Sequence, residues 1–536
     1  MRVTRIEAGK DRIIIRCDAD IPSSAFAQAL VPLTLGKYGG ETPSRAVFET
    51  CRVEDGALIF PRYSGSYDLL ICRFKVFLGV EVLGGARYVT DFLEDFSKES
   101  RELLPKKKPV GTWVTCTGDD MDFYGFGGMM TEINSTWIQT VTPSQDDIAH
   151  VWNGKTYWFN RAIMDTYDRL MQPCIERGIP CLVRLINRFS YRLKGSDDAL
   201  RKIIGHPSYE DTGFSEQMSA FNLTCEEGVD MYCACVDFIC ARYFDPESPL
   251  FCSVIMDVGN EVNAQSVWHN CGQMPCSEFA EEYSEQLRLA YLIGQKYNSA
   301  HRVHLSLDHY YAEPLKPDAM RCYGGRELLA YLAAICKRDG DFPWGISAHP
   351  YPENLTKPDF YNDTTATFSN DTHRITMKNM EMWQAIAEHG AVRYRGEPRH
   401  IVFDEQGFHT DYTDPESENK GAYAFILLWQ KLKRCSAVEQ FLINRYTDMP
   451  ENDESGLHLG LRYEKGYADT EHLFINPGDY KKISYAIKDL GTDAEQKWID
   501  EAREYIGEEL YDSLLDPTLP PEDRYFYEVA AKVGVL

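Results

Sequence analysis

Three short segments of this 536-residue chain concentrate side chains that can move protons or attack carbon. One reads Met256-Asp257-Val258-Gly259-Asn260-Glu261-Val262-Asn263, and another Val402-Phe403-Asp404-Glu405-Gln406-Gly407. Between them lies Ser347-Ala348-His349-Pro350-Tyr351-Pro352. In each, an apolar run of strand character ends on the reactive residues. Two carboxyls set across a cleft can divide the labour of breaking a glycosidic bond. One protonates the leaving oxygen, and the other attacks the anomeric carbon, or activates water if the two stand further apart. A lone Glu at a strand end simply opens a solvated loop. Glu261 and Glu405 together, with Asn260, His349 and Tyr351 beside them, read as a site. Further candidates for substrate contact are Asp120, Asn187, His309 and Arg445, with Trp268 on the loop after Glu261 as a stacking face.

Such residues need elements that carry them to one place. From residue 110 onward, apolar runs alternate with amphipathic stretches. Strand candidates are Thr112–Cys116, Thr136–Val141, Cys181–Ile186, Ser253–Val258, Val303–Leu307, Gly345–Ala348, Ile401–Phe403 and Gln440–Ile443. Between them fall helical patterns such as Arg161–Arg177, Glu227–Tyr243 and Glu278–Tyr297. Eight strands alternating with helices predict an α/β fold, a (β/α)₈ TIM barrel, whose chemistry sits just past the strand C-termini. Residues 1–104 show period-two runs, as in Arg12–Arg16 and Tyr67–Phe74, and predict a small antiparallel β domain. The Leu104–Pro109 segment, rich in lysine and proline, reads as a linker. The barrel is expected over 110–490 and a C-terminal helical extension, packed on its outside, over 491–536.

At this point the residues also carry a resemblance. Asn260-Glu261 after strand four and Glu405 after strand seven resemble the signature of clan A glycoside hydrolases, which are retaining (β/α)₈ enzymes. The resemblance implies Glu261 as acid/base, Glu405 as nucleophile, a hydrogen bond from Asn260 to the sugar 2-hydroxyl, and a contact between Tyr351 and the nucleophile. A finer similarity is to a bacterial family of barrel proteins, of no settled substrate, with Gly-Asn-Glu-Val-Asn, His-Pro-Tyr-Pro and Glu-Gln-Gly-Phe segments, present here at Gly259–Asn263, His349–Pro352 and Glu405–Phe408. Two departures stand out. Strand eight ends Leu442-Ile443-Asn444-Arg445, where many clan members place a Trp. Thr140-Val141-Thr142 stands where many have a basic residue near strand two.

Composition narrows the alternatives. A formal charge of −26 argues against a nucleic-acid groove, which needs clustered Lys and Arg. No apolar run is long enough to span a membrane, and no signal-type segment follows Met1, so a soluble cytoplasmic protein is expected. The 16 cysteines sit inside apolar runs, as small buried hydrophobes do, which fits a reducing compartment. Cys233, Cys235 and Cys240 match no zinc spacing, and His301, His304 and His309 share one strand without converging. No metal or cofactor is therefore expected, and the expected partner is a carbohydrate substrate, with the oligomeric state left open. The other readings are a catalytically silent carbohydrate-binding barrel and a metal-dependent barrel hydrolase.

Overall fold

A computed structural model of the chain describes residues 1–33, 46–49, 52–96, 100–105, 108–189, 198–213, 218–450, 456–468 and 474–535, with backbone alone at 46–49 and 52. Eight parallel strands close into a barrel in chain order: Val110–Trp113, Gly128–Asn134, Cys181–Ile186, Ile255–Val258, Arg302–Leu307, Trp344–Ala348, Ile401–Phe403 and Val438–Ile443. The last strand pairs with the first, Leu442 opposite Gly111. Helices lie between successive strands, among them Arg161–Arg177, Cys276–Gln295, Gly325–Asp339 and Ser417–Leu432. Local chemistry sets their ends. Helix Arg161–Arg177 starts where the Asn160 side chain accepts the Ile163 N–H, and it stops at Gly178 in the left-handed conformation. The (β/α)₈ barrel expected from the alternation is present.

Strand two is a correction. The β-branched run Thr136–Val141 is not a barrel strand. Asn134 accepts the Thr136 N–H and starts a helical turn, Ser135–Ile138, and Gln139–Thr140 then joins a small side sheet against Lys155–Phe159. The barrel strand is Gly128–Asn134 instead, in a stretch whose glycines signal a loop. Glycine is needed there because strands one and two approach closely. A Cβ on Gly111 would stand 1.7 Å from the Gly128 carbonyl oxygen.

Ahead of the barrel, the described strands form a five-stranded and a four-stranded sheet, antiparallel except where Val3–Ala8 meets Asp91–Phe92, with a two-stranded pair at Tyr63–Ser64 and Tyr67–Asp68. Side chains seat these sheets on the barrel: the Tyr88 hydroxyl donates to Glu285 on helix Cys276–Gln295 at 2.7 Å. In the expected linker, Lys106 and Lys107 lie outside the described residues, and Lys108 is anchored by the Ile487 and Tyr124 carbonyls at 2.7 and 2.9 Å. After strand eight, a hairpin that the sequence pattern did not disclose, Arg462–Tyr467 with Ile475–Tyr480, precedes helix Lys482–Asp489. Helices Glu495–Ile506, Glu508–Leu515 and Arg524–Val533 follow. Among the described residues no helix is long and apolar enough to cross a membrane, and the 15 described cysteines are free thiols.

Gly111→Ala should destabilise the barrel by about 1–3 kcal/mol or more, because the added methyl meets backbone that cannot give way. Gly128→Ala should cost less, since its Cβ meets only the movable end of Gln440. Denaturant melts of both variants check the order, and equal losses would contradict it.

Candidate active site

Along the barrel strands, alternate residues face the interior. The N-terminal half of that interior is mostly apolar, built from Met130, Leu182, Ile255, Val402 and Leu442, with the buried Gln440 amide beside Gly128. One step further along, the same alternation puts Arg184 on strand three, Asp257 on strand four, Ser306 on strand five and Asp404 just past strand seven. Arg184, 1% exposed, reaches across the barrel. Its Nη1 donates to Glu405 Oε2 at 2.7 Å and its Nη2 to Asp404 Oδ2 at 2.5 Å, while Nε lies 3.4 Å from Asp257 Oδ2. This is a basic residue on the floor of the site, supplied by strand three rather than strand two.

The other oxygen of Glu405 is held from two further strands. The Tyr351 hydroxyl donates to Oε1 at 3.2 Å, and Asn444 Nδ2 donates to Oε1 at 3.3 Å and to the Tyr351 hydroxyl at 2.8 Å. Asn444 thus occupies the strand-eight position, and its peptide bond to Arg445 is cis. Glu261 is positioned differently. It takes the left-handed conformation (φ 38°), directly after Asn260 and the positive-φ Gly259. Its N–H donates to the Ser306 hydroxyl at 3.0 Å. The turn that follows is clamped to strand five, with Asn263 Nδ2 donating to Asp308 Oδ1 at 2.5 Å and the Asp308 N–H to Asn263 Oδ1 at 3.0 Å.

His349 joins the two glutamates. Its Nδ1 lies 2.8 Å from Glu261 Oε1 and 3.8 Å from Glu405 Oε2. Its Nε2 lies 3.2 Å from the Ser306 hydroxyl and 3.0 Å from Arg184 Nη2. Two cations tolerate that approach because Asp404 lies against both, 3.4 Å from the imidazole.

Protonation follows from these contacts. Burial alone would favour the neutral imidazole, but the Glu405 and Asp404 carboxylates push His349 up to about 10. Burial would likewise raise Glu405, yet His349 and Arg184 hold it below its ordinary value. Burial and the nearby Glu261 carboxyl push Asp308 up to about 8. Burial and the Glu405 charge keep Tyr351 a phenol, available as a donor.

Other residues singled out from sequence fall in different places. Asn260 is buried beside Glu261, and its amide oxygen meets no partner among the described residues. His309 packs next to Tyr351, 3.1 Å from its carbonyl, and burial takes it down to about 4. Trp268 ends the short helix Gln265–Trp268 and is partly buried. Arg445 follows the cis bond, close enough for its charge to act on Tyr351. The structure does not bring Asn187 to the carboxylates. Its amide donates to the Ile204 and Ala220 carbonyls and accepts from Ser135. Asp120 is also engaged elsewhere, accepting from Tyr446, Tyr480 and Arg462 at 2.5–2.6 Å, and it ties the late hairpin to helix Gly118–Tyr124 after strand one. Among the described residues no cluster of three or more His, Cys, Asp or Glu is arranged to hold a metal.

Fold and site together define a (β/α)₈-barrel protein with paired glutamates at the C-terminal mouth of a charged interior. Over residues 105–514 the chain matches a family of unknown function, DUF5722, and it belongs to that family. No protein of curated function matches it significantly. Similar solved structures include a family 39 glycoside hydrolase from Bacteroides cellulosilyticus WH2, at 12% identity and TM-score 0.43, covering 92% of this chain and 82% of that one. A hyperthermophilic β-glucosidase from Pyrococcus furiosus is 12% identical, with TM-score 0.42, over 73% of this chain and 87% of that one. An exo-β-1,4-mannosidase from Opitutaceae bacterium strain TAV5 is 15% identical, with TM-score 0.40, over 80% and 63%. Likeness at this level carries no argument about chemistry.

The His349 charge has a consequence for stability. Its folded value lies above the unfolded 6.5, so the stabilisation is complete below 6.5 and is lost as pH rises through about 10. Wild type should therefore lose a few kcal/mol between pH 6 and 10 that His349→Gln does not lose. Denaturant midpoints at pH 6, 8 and 10 measure this, and parallel curves for the two proteins would refute it.

Proposed function

We propose that this chain is a retaining glycoside hydrolase, with Glu405 as nucleophile and Glu261 as acid/base. The observation that carries the reading is the convergence of both carboxyls on one nitrogen, Nδ1 of His349. Glu261 Oε1 and Glu405 Oε2 can be no further apart than the sum of those two contacts. Carboxyls whose facing oxygens meet on one nitrogen favour the close spacing of retaining enzymes, roughly 5–5.5 Å, over the wider one that houses an inverting water.

In the first step a Glu405 oxygen attacks the anomeric carbon. The glycosidic C–O bond breaks, and the departing oxygen takes the proton of Glu261. Glu405 is suited to this: its charge is retained by Arg184 and His349, and Tyr351 and Asn444 fix its orientation. In the second step Glu261 removes a proton from water, the water oxygen bonds to the anomeric carbon, and Glu405 leaves. His349 holds the Glu261 carboxyl in place between the steps. Asn260, next to the acid in sequence and buried beside it, is the candidate partner of a sugar hydroxyl, and Trp268 is a candidate stacking face. The carbohydrate class is an oligo- or polysaccharide with O-glycosidic bonds.

A panel of nitrophenyl glycosides and plant-type oligosaccharides, assayed with wild type, Glu261→Gln and Glu405→Gln, tests the reading. Release from at least one substrate is expected, with retained configuration of the first product by NMR and turnover lowered by several orders of magnitude in both variants. Inverted product would exclude the nucleophile role of Glu405. Unchanged turnover in either variant would remove that residue from the mechanism, and tight sugar binding without turnover would favour a binding barrel.

A further inference from the structure

Beneath the two glutamates lie two more carboxyls, Asp257 and Asp404, both wholly buried. Arg184 treats them unequally, binding Asp404 at 2.5 Å and reaching Asp257 only at 3.4 Å. Asp257 Oδ1 accepts no N–H or O–H from other described residues, and Asp404 Oδ1 has only His349 Nε2 near it, at 3.4 Å. The two carboxyls thus share one buried guanidinium. Carboxylates gathered so closely away from water cannot both ionise, so one member keeps a proton.

We propose that Asp257 and Asp404 hold a single proton between them, resident on Asp257, and that this acid–anion pair is the positioning device through which Arg184 and His349 face Glu405 and Glu261 at once. The charge count supports it. With Asp257 neutral, the cations Arg184 and His349 balance the anions Asp404 and Glu405. An ionised Asp257 would add an unbalanced charge in a water-poor interior and compete with Glu405 for Arg184. The surroundings agree on which member keeps the proton. Burial and the neighbouring Asp404 push Asp257 well above the carboxylate range, whereas Arg184 and His349 hold Asp404 well below it. Other groups near the pair are uncharged: the Ser306 hydroxyl, the Tyr283 phenol, which donates to the Val258 carbonyl at 2.5 Å, and the His304 imidazole opposite Asp257, which burial takes down to about 3.

The service to the two glutamates rests on the glycosidase reading, but the shared proton does not, so the two can fail separately. Infrared difference spectra of wild type against Asp257→Asn at pH 7 address the proton directly, without substrate. A difference is needed because Asp308 contributes a similar neutral-carboxyl band. Loss of one neutral-carboxyl carbonyl band in Asp257→Asn is expected, with the band retained in Asp404→Asn. No loss, or loss only in Asp404→Asn, would overturn the proposal. Turnover supplies the second arm. An amide reproduces a neutral acid but not an anion, so Asp404→Asn should fall about 100-fold below Asp257→Asn, the scale of a small misplacement of reacting groups. Equal turnover in two folded variants would overturn the positioning role.

Discussion

A guanidinium sealed in the middle of a barrel governs this structure. Removing an arginine from water costs several kcal/mol even after relaxation, and only well-made contacts to anions offset it. Arg184 lies on strand three, yet its partners come from strands four and seven and from Glu405, so the charge is satisfied only when the barrel has closed. The ion cluster therefore does more than decorate the core. It couples the register of strand three to the loop that follows strand seven, and it favours an anion at position 405. A carboxyl held ionised and aimed by its neighbours suits the nucleophile role proposed for Glu405.

The two glutamates do not share one environment. Glu405 is enclosed by donors on both oxygens: Arg184 on one, Tyr351 and Asn444 on the other. Glu261 has the single contact to His349 and a neighbouring carboxyl, Asp308. Its backbone sits in the left-handed region, uncommon for a side chain with a Cβ and costing about 1–3 kcal/mol. The Ser306 contact and the reciprocal Asn263–Asp308 pair hold it there. Environments that differ in this way divide roles between chemically identical carboxyls.

Much of this was legible in the sequence, for a physical reason. Strands of a closed parallel barrel are buried on both faces, so they read as apolar runs, and a reactive residue that ends such a run stands out. Cys181–Ile186 and Ile401–Phe403 are read to the residue. Strand two was hidden because its close approach to strand one demands glycines, which signal loops. Arg184 carried a signal that went unused: a single charge in Cys-Leu-Val-Arg-Leu-Ile needs an interior partner, and Asp257 and Asp404 end runs of the same kind. Asp120 and Asn187 show that polar residues at strand ends also serve as struts. Their partners lie far along the chain, Arg462 in the case of Asp120, and no local pattern discloses them.

The charged cluster works only because of what lies below it. Met130, Leu182, Ile255, Val402 and Leu442 fill the N-terminal half of the barrel, flanked by Leu103, Phe251 and Ala300. The deeper members of the cluster are wholly buried, and Glu405 and Glu261 at the mouth remain partly accessible. Low polarizability beneath strengthens each ion contact above it and raises the cost of any unpaired charge. Packing at the bottom and chemistry at the top are thus one arrangement: the apolar plug makes Arg184 dependent on its carboxylates, and the carboxylates, held by that dependence, face the open end where a substrate can enter.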